Sequence, residues 1–240
     1  MTLTELHRNF KIELDKSEIS SYPSFLPEEI DYWLNSSIER FIKSRYSGRN
    51  LYRTGFQQNQ KRTEDLRTLV VERPYDVSNV TQGFDYSIEV DYPSDYFIAV
   101  GETAFITSTS ELWPEKNGQK TVLRTDVIES TIEDIDSKLK SKLSEHNLNG
   151  DSAKPIRLFV NNHIRLYTDG NYSIQKYVLT YIKMPEKLDW YSSTVSRTST
   201  ITTLPDHTWS EIVVEAVSLA LENISDIRIN SYASNALTSE

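Results

Sequence analysis

The hydrophobic period of this chain runs helical at both ends and mainly alternating between them, and that order confines it to one fold class. Up to about residue 74, apolar residues recur at three- and four-residue spacing. Alternation dominates from 75 to 204, and helical spacing returns from 205 onward. Helices kept apart from strands point to α+β rather than to a wound βαβ sheet. We expect an N-terminal helical part at 1–74 and a β-rich part at 75–204 with one helix near 127–146. A C-terminal helix and polar tail at 205–240 would complete the helical part.

Leu3, Leu6, Phe10 and Leu14 predict a short first helix. Ser17 to Pro23 reads as a loop. Pro27 opens a second helix, where its missing N–H would have no partner anyway. Glu28, Glu29 and Asp31 suit the positive end of that helix's dipole; Lys43 and Arg45 suit the negative end. Ile30, Trp33, Leu34, Ile38, Phe41 and Ile42 form its apolar stripe, and Gly48 stops it. Gln57 to Val71 predicts a third helix with Leu66, Leu69 and Val70 inward, which Pro74 prevents from extending.

Phe84, Tyr86, Ile88 and Val90 alternate with acids and serine, predicting a half-buried strand that Pro93 interrupts. Tyr96 to Thr109 reads as a strand pair or one long strand, and Thr121 to Arg124 as a weak strand. Val127 to His146 predicts a helix with a seam of Ile128, Ile132, Ile135, Leu139 and Leu143. Its acids come early and its lysines late, complementing the dipole. Asn149-Gly150 marks a break. Ile156 to Val160, Ile164 to Thr168 and Tyr172 to Lys183 predict strands, with Asp169-Gly170-Asn171 as a hairpin signal. Residues 192–203 hold nine Ser or Thr and read as an exposed connection. Thr208 and Glu211 have capping-box spacing. Ile212, Val213, Ala216, Val217, Ala220 and Ile224 line the helix they begin, and the chain turns polar after Ile227.

Chemistry finds little foothold. The chain has no Cys, so thiolate metal sites, disulfides and Cys nucleophiles are excluded. His7, His146, His163 and His207 show no ligand spacing and read as surface or helix-end residues. His207 beside Asp206 and Ser210 lacks a nucleophile elbow. Asp134 and Asp136 point to different sides of a helix. No Gly-rich phosphate loop occurs, no cofactor is expected, and no apolar run is long enough to span a bilayer. The N-terminus lacks a basic region followed by an apolar stretch, so cytoplasmic synthesis is expected. Charge is uneven. Residues 40–73 carry nine basic side chains (Arg40, Lys43, Arg45, Arg49, Arg53, Lys61, Arg62, Arg67 and Arg73) against three acidic ones, a local net of +6. The whole chain carries −9, so the rest carries −15. This block is either a solvated helical face or a docking patch for an acidic protein surface or a nucleic-acid backbone. Aromatics at Tyr46, Tyr52 and Phe56 leave nucleotide stacking open.

Several stretches look familiar: Leu26-Pro-Glu-Glu-Ile-Asp-Tyr-Trp-Leu-Asn, Arg53-Thr-Gly-Phe-Gln-Gln-Asn-Gln-Lys-Arg, Tyr92-Pro-Ser-Asp-Tyr-Phe, Tyr181-Ile-Lys-Met-Pro, and the closing helix from Glu211 followed by Arg228. With them the chain resembles head-to-tail connector proteins of tailed bacteriophages, the adaptor, tail tubular or gatekeeper type, and is most similar to ring proteins of crAss-like phages. The resemblance implies a helical bundle from N- and C-terminal helices with an inserted antiparallel β region. It implies a structural virion protein without catalytic residues, sited in the neck or tail and assembled in host cytoplasm. About twelve copies would form a ring between portal and tail components. Double-stranded DNA would pass through it without sequence-specific binding. Arg53, Lys61, Arg62, Arg67, Arg228 and Tyr232 are the candidate assembly or portal contacts, the last two in a tail that docks on the portal. The rival readings are a monomeric nucleic-acid- or carbohydrate-binding module and a hydrolase using paired acids.

Overall fold

The computed structural model describes residues 1–14, 25–47, 60–77, 86–192 and 197–223. It divides the chain into two units: Met1–Leu69 with Pro185–Glu240, and the inserted Val70–Met184. The fold is α+β, with five α-helices and mostly antiparallel sheets among the described residues.

In the first unit, α1 (Leu3–Leu14) buries Leu3, Leu6, Phe10 and Leu14 as their spacing predicts. A reciprocal cap starts it. Thr2 N–H donates to Glu5 Oε2 (2.8 Å), and Glu5 N–H donates to Thr2 Oγ1 (3.2 Å). Helix α2 (Pro27–Ser47) buries Ile30, Leu34, Ile38, Phe41 and Ile42, while Trp33 is only half-buried. The last helix, α5 (Trp209–Asn223), packs on both α1 and α2 through Ile212, Val213, Ala216, Val217 and Ala220. Full burial of a Val or Ile side chain contributes about 1.5–3 kcal/mol. Ile224, Gly48 and the 17–23 loop fall outside the described residues.

The chain returning from the insertion is tied to α2 by polar groups the sequence did not flag. The Asn35 amide donates from Nδ2 to Leu188 O and accepts Leu188 N–H at Oδ1, both at 2.9 Å. Asp31 bonds His7 Nε2 through Oδ1 and accepts Trp190 N–H at Oδ2, both at 2.7 Å. The His7 ring stacks on Trp190 at 4.4 Å. His7 and His146 are therefore buried, correcting the surface reading. The capping box expected at Thr208 is also replaced. A 3₁₀ turn (Asp206–Thr208) precedes α5, and Thr208 Oγ1 donates to Pro205 O (2.8 Å). Glu211 meets Arg45 and Lys61 instead.

The third helix is shorter than its pattern suggests. Helix α3 (Gln60–Leu66) gives way to a 3₁₀ turn (Arg67–Leu69), and the chain is extended from Val70. Strand β1 (Val70–Asp76) runs straight through Pro74. Val70 and Val71 are β-branched and find partners in Ile182 and Tyr181. Pro74 is tolerated because β1 lies at a sheet edge.

Nine further strands complete the second unit: β2 (Ser87–Asp91), β3 (Tyr96–Ser108), β4 (Glu115–Lys116), β5 (Gln119–Lys120), β6 (Leu123–Asp126), β7 (Ile128–Glu129), β8 (Ile156–Val160), β9 (His163–Tyr167) and β10 (Tyr172–Lys183). One sheet has the order β1-β10-β3-β6 and is antiparallel throughout. The other has the order β2-β9-β8-β7, with β7 and β8 parallel. Strands β4 and β5 form a separate hairpin on Asn117-Gly118, whose φ values of 55° and 75° suit a two-residue turn. Ile88, Val90, Ala104, Ile106, Trp113, Ile164, Leu166, Leu179 and their neighbours form the core. Strand β10 changes phase within it. Tyr172 and Ile174 are buried, the ladder then slips at Gln175, and Tyr177, Leu179 and Tyr181 are buried after it.

Three expectations need correction here. Asp169-Gly170-Asn171 does form a turn, with Gly170 at φ 83° and Asn171 N–H donating to Asp169 Oδ1 (2.9 Å). It joins two sheets rather than two paired strands; the hairpin is β8–β9, turned at Asn161 (φ 52°). Tyr86 does not extend the inward series of β2 but is exposed; Phe84 lies outside the described residues. Most importantly, residues 127–146 are not one helix. Ile128 N–H donates to Pro155 O (2.9 Å) and Ser130 N–H to Arg157 O (3.0 Å), so the backbone is committed to β8. Only α4 (Ile135–Lys140) is helical. Asn147 Nδ2 then donates to Ser141 O and Ser144 O at 2.9 and 3.1 Å, holding turns where a helix would continue. Ile132 and Leu143, placed in the expected seam, are 71% and 96% exposed. Ile132→Ser and Leu143→Ser should therefore each change unfolding free energy by no more than about 0.5 kcal/mol. Urea denaturation showing a loss above about 2 kcal/mol for either would restore the buried seam.

Candidate assembly interface

The basic block is the sequence feature most suggestive of a partner, and the structure divides it in two. Its inner half serves the fold. Arg45 lies near the end of α2, 3% exposed. Its Nε donates to Asp65 Oδ2 (3.0 Å), its Nη2 meets Glu211 Oε2, and its guanidinium covers the Phe41 ring at 4.7 Å. The other Asp65 oxygen meets His207 Nε2 (2.8 Å). Lys61 reaches Glu211 Oε1 at 3.3 Å. Helices α2, α3 and α5 and the turn before α5 are thereby joined by one charged network around a carboxylate that is 1% exposed.

Arg62 is also turned inward. It is 5% exposed, and its Nη1 donates to Ser44 O (3.0 Å) and Arg45 O (3.3 Å). Those carbonyls belong to the last turn of α2, which has no further helical N–H to receive. The outer half of the block stays accessible. Arg67 is exposed and pairs with Glu64 at 3.3 Å; Lys43 pairs with Glu39 at 3.2 Å; Arg40 is exposed. Exposed pairs of this type contribute about 0–1 kcal/mol, so they leave the cations available to a partner at small cost. Arg53, Arg228 and Tyr232 lie outside the described residues. Of the six candidate contacts, Lys61, Arg62 and Arg67 are thus brought to one region, with Lys61 and Arg67 at its surface.

Sequence reasoning missed the Arg45–Asp65–Glu211 network because its members stand 20 and 166 residues apart. The one available signal was the clustering of cations on a helix whose partner helices carry few acids, each at a defined position.

The second unit holds its own buried pair. Arg157 on β8 places Nε 2.9 and 3.2 Å from the two oxygens of Glu102 on β3, and its guanidinium covers Phe159 at 3.7 Å. Burial pushes the Glu102 carboxyl above its ordinary range, and Arg157 opposes that rise. Nearby, Tyr181 donates to Asp95 Oδ1 (2.8 Å), and burial pushes its hydroxyl up to about 12.

Among the described residues, no three His, Asp or Glu side chains stand in a metal-binding arrangement, and no helix is long and apolar enough to cross a membrane. No curated protein matches the chain. Residues 1–231 match a family described as phage tail ring protein 3/4, a structural tail family rather than a known enzyme class. With nearly the whole length matched, the chain belongs to the phage tail ring protein 3/4 family of crAss-like phages, as a structural component of the virion tail.

Proposed function

We propose that this chain closes a ring of about twelve copies, connecting the portal to further ring or tail proteins and surrounding the channel through which double-stranded DNA passes. The observation that carries this reading is the ring-family match over residues 1–231. Two further features support it. The N- and C-terminal helices belong to one unit, from which the β-rich unit is inserted, so a helical bundle can form the wall while the β part meets neighbours. The net charge of −9 disfavours phosphate binding, which suits a conduit that does not grip DNA. The exposed cations Lys61 and Arg67 then face protein, and Arg53, Arg228 and Tyr232 add contacts to the next copy or to the portal.

Mass photometry of the chain, alone and with portal, tests the proposal. High-mass species are expected in at least one condition, and their loss in Lys61→Glu/Arg67→Glu. The unfolding free energy of that variant should fall by less than about 1 kcal/mol, because both side chains are accessible. Deleting residues 226–240 should abolish portal docking. A wild-type monomer that ignores portal would sink the ring; docking that survives the deletion would remove the tail from the contact.

A further inference from the structure

Two turns flank α4 in the second unit, and each presents to solvent a side chain that a turn does not need. Before α4, Asp134 N–H donates to Thr131 O (3.2 Å), and Thr131 Oγ1 donates to Asp134 Oδ2 (3.1 Å). Ile132 and Glu133 are the central residues of that turn. After α4, Ser144 N–H donates to Ser141 O (3.2 Å), and Asn147 Nδ2 braces the same carbonyl. Lys142 and Leu143 are its central residues. Thr, Asp, Ser and Asn supply the turn chemistry at the corners. Each tip is left with one aliphatic and one charged residue.

Both aliphatic side chains face solvent. Ile132 is 71% exposed, and Leu143, at 96%, is the most exposed large hydrophobic among the described residues. A single exposed leucine is ordinary on a protein surface. Here, however, the backbone that carries it is tied down. His146 is buried, Lys154 N–H donates to Glu145 O (2.9 Å), and Leu148 N–H donates to Asp169 Oδ2 (2.7 Å). Leu143 would have to break bonds of this set to fold back onto the sheet, so its place outside is built into the loop.

The charges around the two tips have opposite signs. Glu133, Asp134 and Asp136 are exposed beside Ile132, and Lys140 and Lys142 are exposed beside Leu143. None of these five has an ion-pair partner among the described residues. The dipole of a six-residue helix explains only part of the sorting. Its influence ends within the first and last turn, and Glu133 and Lys142 lie outside α4. The helix also separates the tips by a rise of roughly 9 Å over its own length, so they do not neutralise each other within one chain.

Each tip therefore lacks what the other offers, an aliphatic contact and the opposite charge. Unlike patches that complement each other join copies head to tail, and such contacts close rings; a self-complementary patch stops at a pair. We propose that the Leu143 turn of one copy docks on the Ile132 turn of the next, with Lys140 and Lys142 against Glu133 and Asp136. The two aliphatic residues form the centre of the contact. The charges form its rim and fix which end meets which. This inference rests on the ring reading and adds to it a copy-to-copy surface in the β-rich unit.

Sedimentation velocity of the full chain tests the contact, with portal added where the wild type needs portal to assemble. Leu143→Ser should raise the concentration required for assembly about tenfold or more, the factor expected from leaving one leucine unburied. Lys140→Glu/Lys142→Glu and Glu133→Lys/Asp136→Lys should each weaken assembly at least as much. Thermal unfolding of all three variants should stay within about 3 °C of wild type. An equal mixture of the two reversal variants should assemble again, because every contact in an alternating ring then pairs opposite signs. Wild-type assembly that Leu143→Ser and both reversals leave within about twofold overturns the contact and leaves the ring standing. A mixture as weak as either variant alone also overturns it, because the lysines then meet something other than a neighbour's acidic turn. A wild type without high-mass species in either condition removes the ring reading, and this contact with it.

Discussion

Arg45→Ala should lower the unfolding free energy of this protein by about 3–5 kcal/mol, a large part of the stability of an ordinary domain. The loss does not come mainly from the missing attraction. Asp65 is 1% exposed, and without Arg45 its carboxylate keeps only His207 among the described residues. An ion left unpaired in a buried site loses solvation that nothing replaces. Glu211 fares better, since it is partly exposed and retains Lys61. The order of severity is therefore Arg45→Ala, then Asp65→Ala, then Glu211→Ala. Urea denaturation checks it. Arg45→Met/Asp65→Leu should recover most of the loss, because replacing both partners removes the orphaned charge. If the double replacement is as unstable as Arg45→Ala, packing on Phe41 rather than charge is what Arg45 supplies.

The second large effect lies in the β-rich unit and depends on pH. Arg157→Ala should cost about 3–5 kcal/mol at neutral pH and much less near pH 4. Burial already raises the Glu102 pKa in the folded protein. Between the ordinary glutamate value and that raised value, the folded state binds more protons than the unfolded state. Stability therefore falls as pH rises through this window. Arg157 limits the rise, so its removal lifts the folded value further and widens the window. Below the window Glu102 is protonated in both states, and the deficit shrinks to lost packing over Phe159. The check is unfolding free energy of wild type and variant from pH 4 to 7. A deficit that stays constant across that range would show that the guanidinium acts as a packing surface alone.

These two pairs also show what the sequence could and could not reveal. The spacing of Leu3, Leu6, Phe10 and Leu14, and of Ile212, Val213, Ala216 and Val217, records which face of a helix is buried, because a helix meets its core locally. Ile156 to Val160 and Tyr172 to Lys183 were legible as short β-branched and aromatic runs, although the first is buried on both faces at its start and the second changes phase at Gln175. Residues 127–146 were not. Their helical spacing is genuine, but Ile128 and Ser130 give their N–H groups to a strand nearly thirty residues away, and periodicity carries no record of a distant partner. Sheet membership failed likewise at Gly170, where a good turn signal says that the chain reverses, not which sheet it enters. Lys61, Arg62 and Arg67 were legible as a cluster of charge. Which of them face inward was decided by Asp65, Glu211 and the end of α2. The slip of β10 at Gln175 left no trace in composition at all.

The place of β10 between β1 and β3 has a consequence for how this protein is made. Val70 pairs with Ile182, so β1 leaves the ribosome long before its partner exists. At about 5–20 residues per second, the wait is roughly 6–22 s. Throughout that time a strand bearing two valines has no ladder to join and is a template for any passing chain. Pro74 removes a donor from its middle, and Glu72, Arg73 and Asp76 place charge along it. A residue that looks like a helix stop thus also makes this strand a poorer template for other chains before its own sheet closes.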